Sequence, residues 1–307
     1  MSQPVLTISP EVKAALNNRQ GVVALESTII THGMPYPQNR DTALGVEQAV
    51  RDSGAIPATI AILDGQIMVG LDEQQLEALA TSSNAMKLSR ADLAMALARK
   101  AMGSTTVAAT MIIAHLAGIK VFATGGIGGV HQGAELSFDI SADLQELGRT
   151  PVSVICAGAK AILDIPKTLE VLETLGVPVL AYGQDEIPAF WSRSSGLSAP
   201  LRADTVAQIV DFMQARESLQ LDGGVLITNP VPAEAEIPQA EMQTYIAQAI
   251  SESQAAGISG KAVTPWLLGR IVEITEGRSL VTNQALIINN ARLAGELAVS
   301  LSRTAIT

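Results

Sequence analysis

The chain has 307 residues, 48% hydrophobic and only 16% charged, with a formal net charge of −10. That length and apolar content suffice for a large core and exclude a disordered chain. The acidic balance argues against nucleic-acid binding by bulk electrostatics, because phosphate backbones need a basic surface. Any anionic ligand must therefore meet a locally positive pocket.

The opening residues Met1-Ser2-Gln3-Pro4 show neither a basic segment nor an apolar one of the secretory type. No uncharged apolar run is long enough to span a bilayer. A cytoplasmic protein without membrane association is expected. Ser9-Pro10-Glu11 reads as N-cap, N1 proline and first-turn acid of a short helix. Residues 21–25 form an apolar run ending at Glu26, a buried strand. Residues 41–51 are helical, and 58–63 are a second buried strand turning at Asp64-Gly65 into 67–69. Ser89-Arg90-Ala91-Asp92 reads as a capping box before a helix over 93–102. Ser104-Thr105-Thr106 caps a helix over 107–116. Strands follow at 120–124 and 152–156, then a helix over 165–175 and a strand over 178–182. A helix over 203–219 precedes the last core strand, 225–228, and the pattern from Pro238 onward is almost entirely helical.

The strands are continuously apolar rather than alternating, and they alternate with helices. This is the signature of a single α/β domain. Its central sheet should be largely parallel or mixed, with helices on both faces and a helical C-terminal third. No linker, low-complexity tract or internal repeat divides residues 1–307. In open α/β sheets ligands sit beyond the carboxyl ends of strands. Glu26, the glycine-rich loop 125–129 and Lys160 all fall there.

Each chemistry-bearing residue has a functional and a structural reading. Glu26, at a strand end beside apolar walls, suits a general acid or a helix-capping carboxylate. Lys87, near a helix N-terminus, is a phosphate contact or a solvated lysine. Thr105 and Thr106 serve as caps. Loop 125–129 lets backbone approach a ligand, but its glycine spacing is not a dinucleotide fingerprint. Asp139, Ser141 and Asp143 alternate, so an extended backbone would aim all three to one face. Carboxylates at i and i+4 can share a cation or a polyhydroxy ligand. The competing reading makes Ser141 or Asp143 the cap of a short helix over 144–147. Lys160, flanked by apolar residues, is an amine nucleophile or a buried ion-pair partner. The three histidines, His32, His115 and His131, lack zinc-ligand spacing, whereas an acidic manganese or magnesium site stays open. Cys156, the single cysteine, lies in an apolar run and reads as a reduced core residue, with no disulfide within the chain.

Several stretches together carry a family resemblance. They are residues 25–37, 125–147 and 157–166, Pro188-Ala189-Phe190-Trp191-Ser192-Arg193, Asn229-Pro230-Val231-Pro232, Gly260-Lys261-Ala262-Val263-Thr264-Pro265 and Asn289-Asn290-Ala291. In order and over nearly the whole chain they resemble the pseudouridine-5′-phosphate glycosidases, also called the indigoidine synthase A-like family. The resemblance implies reversible cleavage of the carbon–carbon bond of pseudouridine 5′-phosphate, giving uracil and ribose 5-phosphate. It implies a homotrimer and one divalent cation per subunit, usually Mn2+. By position, Glu26 matches the proton donor, Lys160 the nucleophile and Asp139 the metal ligand. Lys87, Val107, Ser141, Ala142 and Asp143 match the substrate-binding positions. A pseudouridine kinase, sometimes fused in this family, is expected to be a separate protein. The same parts would also serve another Schiff-base lyase or aldolase on a phosphosugar, and a non-catalytic binding homologue is the remaining alternative.

Overall fold

A computed structural model describes residues 6–258 and 263–304. The N-terminal half runs β1 (Leu6–Ile8), α1 (Pro10–Asn17), β2 (Val22–Leu25), a π-helical turn (Ile29–Gly33), α2 (Gln38–Asp52), β3 (Ile56–Leu63), β4 (Gln66–Val69), α3 (Glu73–Ala80), β5 (Met86–Leu88), α4 (Leu93–Ala98), β6 (Gly103–Thr105) and α5 (Val107–Leu116). It continues through β7 (Val121–Ala123), β8 (Val130–His131), α6 (Ala134–Ser137), α7 (Ala142–Leu147), β9 (Ser153–Cys156), β10 (Leu163–Asp164), α8 (Ile165–Thr174), β11 (Val179–Tyr182), β12 (Leu201–Ala203), α9 (Val206–Ser218) and β13 (Val225–Thr228). The C-terminal part is a 3-10 turn (Ala233–Ala235), α10 (Gln239–Ala255), α11 (Val263–Ile274) and α12 (Arg278–Thr304).

Eleven strands form one sheet in the order β1-β4-β3-β2-β7-β9-β13-β11-β12, with β6 branching from β3 and β5 pairing β6. Pairing is parallel from β3 through β12, and antiparallel only where β3 meets β4 and β6. A separate antiparallel ribbon joins β8 to β10. Every residue of β2, β9 and β13 is buried, so helices must cover both faces there. The long α12 packs on α2, β2, β7 and β9, while α5 packs on β2, β3 and β4 and carries α7. No helix among the described residues is long and apolar enough to cross a membrane.

Local chemistry explains the elements that hold. Ser9 caps α1 by accepting from the Val12 amide, with Pro10 in the first turn. Asp64 and Gly65 both adopt positive φ, 50° and 74°, and make the hairpin between β3 and β4.

Three expectations are corrected. The helix foreseen over 93–102 ends at Ala98, because Lys100 turns left-handed and the chain leaves for β6. Ser89 does not cap that helix; its amide donates to Asp92 Oδ2 at 2.9 Å. Asp139, Ser141 and Asp143 do not line one strand face. Ser141 is the N-cap of α7 and Asp143 lies in its first turn, so the competing reading holds.

Candidate active site

Adjacent parallel strands β2, β7 and β9 deliver their carboxyl ends to one place, the middle of the sheet. Glu26 follows β2, Thr124 and loop 125–129 follow β7, and the loop to Lys160 follows β9. Glu26 is 9% exposed, backed by the apolar residues Leu25, Ile29, Ile30, Val46, Ala123 and Ile287. The Thr124 hydroxyl donates a short hydrogen bond to Glu26 Oε1. Burial is the largest influence on this carboxyl and pushes its pKa above the ordinary carboxylate range. Asp143 pushes the same way, while Lys160, Thr124 and Lys87 oppose it. Glu26 therefore tends to keep a proton. Lys160, Lys87 and Asp143 thus lie within reach of its charge.

Lys160 is half-buried, and backbone bonds on both sides fix its loop. Its amide donates to the Ile127 carbonyl at 3.1 Å, the Ile127 amide to the Gly158 carbonyl at 3.1 Å, and the Leu163 amide to the Lys160 carbonyl at 2.9 Å. The glycine loop and the lysine loop thus run as a stitched pair. Gly158 sits at φ +89°, where a Cβ would also lie 2.6 Å from the Pro188 carbonyl oxygen.

Asp143 is 5% exposed, and protein groups engage both of its oxygens. Oδ1 accepts from the Ala108 amide in the first turn of α5, and Oδ2 from the Gly128 amide, each at 2.9 Å. A carboxylate at a helix N-terminus is favoured by the exposed amides and the helix dipole. Gly128 must lack a side chain, because a Cβ would lie 2.7 Å from Asp143 Oδ2 and closer still to Ser141. The helix carrying Asp143 is in turn anchored by Glu146, which is 1% exposed. Arg90 grips it twice, at 2.6 and 2.8 Å, and the Thr150 hydroxyl donates to it.

Lys87 lies in β5, in register with Ser104 of β6. Its charge acts on both Glu26 and His32. Val107 opens α5 and is 1% exposed, so it can offer a ligand little beyond backbone. Ser141 is half-buried and Ala142 exposed.

Asp139 stands apart. It lies on an exposed segment beside Leu136, Phe138 and Ile140, and among the described residues its carboxylate has no protein partner. No three His, Cys, Asp or Glu side chains among the described residues come together as a metal cage. Of Asp139 and Asp143, only Asp139 keeps an exposed carboxylate, which fits a hard cation that keeps most of its water.

Sequence reasoning missed Thr124 as the partner of Glu26, although a hydroxyl at the end of the neighbouring strand was the available signal. It also left unassigned the clamp behind Thr124. Asn229 Nδ2 donates to Asn290 Oδ1 at 3.1 Å, and Asn290 Nδ2 to the Thr124 carbonyl at 2.9 Å. Cys156 is fully buried and its thiol pKa is pushed up to about 12, mainly by burial, as suits a core residue. Gly260 to Ala262, including Lys261, lie outside the described residues.

Fold and site together describe an α/β protein with a buried carboxyl at the strand ends in the middle of its sheet and a lysine loop following the strand two along. The profile of the family described as "Indigoidine synthase A like protein" matches residues 11–300. The pseudouridine-5′-phosphate glycosidase of Paracoccus denitrificans (strain Pd 1222) is 65% identical over 301 residues, covering 97% of this chain and 99% of that one. That of Solibacter usitatus (strain Ellin6076) is 64% identical over 296 residues, covering 96% and 99%. The crystal structure of the prealnumycin C-glycosynthase AlnA, in complex with ribulose 5-phosphate, superposes with a TM-score of 0.91 at 38% identity, covering 100% of this chain and 99% of that one. An indigoidine synthase A-like protein from Thermotoga maritima gives 0.89 at 34% identity, covering 99% and 98%. The chain belongs to the indigoidine synthase A-like family.

Proposed function

We propose that this protein is a pseudouridine-5′-phosphate glycosidase, reversibly cleaving the bond between uracil C5 and ribose C1′. What supports this reading is the meeting of Glu26, Thr124 and the Lys160 loop at the carboxyl ends of β2, β7 and β9, with burial favouring the protonated form of Glu26.

An ordinary glycosidase protonates a leaving oxygen or nitrogen. Here the leaving atom is a ring carbon, and an imine supplies the driving force. Lys160 Nζ, in its uncharged form, bonds to C1′ as the C1′–O4′ bond breaks. O4′ takes the proton the amine sheds, and the sugar becomes an open chain. Glu26 then delivers its proton to uracil C5. The nitrogen lone pair forms the C1′=N bond as the C1′–C5 bond breaks, releasing uracil. Water adds to the imine carbon and returns the Lys160 amine and ribose 5-phosphate, and Glu26 is reprotonated. Thr124 orients the Glu26 carboxyl during this sequence. Lys87 holds the phosphate, so that remote binding energy orients the sugar. Val107 and the segment Ser141-Ala142-Asp143 line the substrate, chiefly through backbone.

A divalent cation, Mn2+ first, belongs to the same proposal, held by Asp139 and water. When bound it would supply positive charge and ordered water at the rim of the site. We also propose the homotrimer that the family resemblance implies; the exposed apolar side chains Leu136 and Phe138, 88% and 82% accessible, favour burial against another copy. A cytoplasmic setting and a separate kinase supplying pseudouridine 5′-phosphate complete the proposal.

The test is direct. Purified protein is mixed with pseudouridine 5′-phosphate and Mn2+, and uracil is measured. In reverse, uracil and ribose 5-phosphate should yield a C-nucleotide. An enzyme that releases no uracil, yet forms borohydride-reducible adducts with other phosphosugars, would be a different Schiff-base lyase.

A further inference from the structure

His32 lies in the π-helical turn that follows Glu26, half-buried, and the chemistry above does not use it. Its Nδ1 is 2.5 Å from Thr31 Oγ1. Thr31 Oγ1 donates to Ser104 Oγ at 2.6 Å, and Ser104 Oγ reaches the Met86 carbonyl at 3.4 Å. A carbonyl can only accept. Ser104 Oγ also lies 3.5 Å from Nδ1; with its proton on Met86 and that of Thr31 received, it too presents only lone pairs to the ring. Thr31 in turn has only lone pairs to offer, so Nδ1 must carry a hydrogen. The tautomer of a histidine is set by the bond its anchored nitrogen makes. Nε2 is thus left with its lone pair, and among the described residues it has no hydrogen-bond partner. Ser104 is the register partner of Lys87 across β5 and β6, so the two side chains leave the sheet on the same face, beside His32. Burial, then the Lys87 charge, holds the His32 imidazole below the usual histidine range, in keeping with a neutral ring.

We propose that His32 is a neutral imidazole, locked with its hydrogen on Nδ1, whose Nε2 accepts a hydrogen bond from a hydroxyl of the sugar phosphate that Lys87 holds. The inference rests on the phosphosugar reading above. A bare nitrogen beside the Lys87 charge suits a ligand that is anionic at one point and an O–H donor at another. A phosphosugar meets both demands. Inorganic phosphate presents oxygens to Lys87 but offers Nε2 far less. His32 therefore reads the sugar and Lys87 reads the phosphate.

Two measurements test this. The first is the 15N spectrum of histidine side chains, with the His32 signal identified by its loss in His32→Phe. Wild type should show Nδ1 protonated and Nε2 bare, and Thr31→Val, which removes the anchoring hydroxyl, should move the ring toward the other tautomer. A wild-type ring protonated on Nε2, or one unmoved by Thr31→Val, overturns the proposal. The second is calorimetric binding without turnover. His32→Phe and His32→Ala should each weaken ribose 5-phosphate about tenfold and leave inorganic phosphate unchanged. Lys87→Ala should weaken both. Equal weakening of both ligands by the His32 variants, or of neither, overturns the assignment, and His32→Phe keeps the test valid if the alanine variant misfolds. Binding of ribose 5-phosphate without uracil release from the C-nucleotide would instead refute the glycosidase reading and leave the role of His32 standing.

Discussion

Asp139 and Asp143 stand four residues apart in the chain and lead opposite lives. Asp143 is buried, caps α5 and pins Gly128, with both oxygens engaged. Asp139 is exposed among exposed apolar side chains. The same contrast separates the floor of the site from its rim. Strand ends of β2, β7 and β9 carry Glu26, Thr124 and Lys160 in a framework of backbone bonds. The rim around Leu136, Phe138 and Asp139 makes few contacts within one chain, which fits completion by water, cation or another copy. Chemistry that depends on placement within a fraction of an ångström belongs on the floor.

Substitutions on the floor should therefore cost most. Glu26→Gln should lower kcat about 10²–10⁴-fold, the range for a proton donor, with folding intact. It should also change the pH profile of stability. Because the folded-state pKa of Glu26 is raised, its contribution is present in full below the ordinary carboxylate pKa. That contribution is lost as pH rises through the raised value. Thermal melts across that window should fall with pH less steeply for Glu26→Gln than for wild type. An unchanged slope would mean that the carboxyl is not held protonated.

Lys87 acts on the floor from β5, away from those strand ends. Lys87→Ala should reduce kcat/KM on pseudouridine 5′-phosphate by about 2–4 kcal/mol, as for loss of a charged hydrogen-bonded contact, and should hurt the unphosphorylated nucleoside far less. Equal losses on both substrates would move the phosphate site elsewhere. Asp143→Ala strands the Ala108 and Gly128 amides and should destabilise the fold by about 2–3 kcal/mol in denaturant titration. A neutral result would show that water replaces the carboxylate without cost.

The rim should give the smallest effects on stability. Asp139→Ala should leave the melting temperature within about 2 °C, since it removes no packing. Activity of that variant should match the chelated wild type and no longer respond to added Mn2+. Retained Mn2+ stimulation would place the cation elsewhere. This pair separates a site that is built in from one that is completed.

Much of the floor is legible in sequence, because β2, β7, β9 and β13 are parallel strands buried on both faces and spell continuous apolar runs. Their ends follow from the runs, and so do Glu26 and Lys160. The strands β5, β6 and β12 are not legible. Each is three residues long, and they contain Lys87, Ser104, Thr105 and Arg202 in place of an apolar pattern. The burial of Asp143 is equally hidden, since its partners, Ala108 and Gly128, come from two other elements. His32 illustrates the same limit. Its tautomer depends on Ser104 and the Met86 carbonyl, more than fifty residues away in sequence.

The central claim is that Lys160 bonds to the sugar carbon. The most direct measurement is reduction with borohydride during incubation with pseudouridine 5′-phosphate, followed by peptide mass analysis. The expected result is a ribose-phosphate adduct on the peptide containing Lys160, absent in Lys160→Ala, with turnover of that variant reduced about 10⁴-fold or more. An adduct on Lys87, or a Lys160→Ala enzyme that still releases uracil at the wild-type rate, would contradict it.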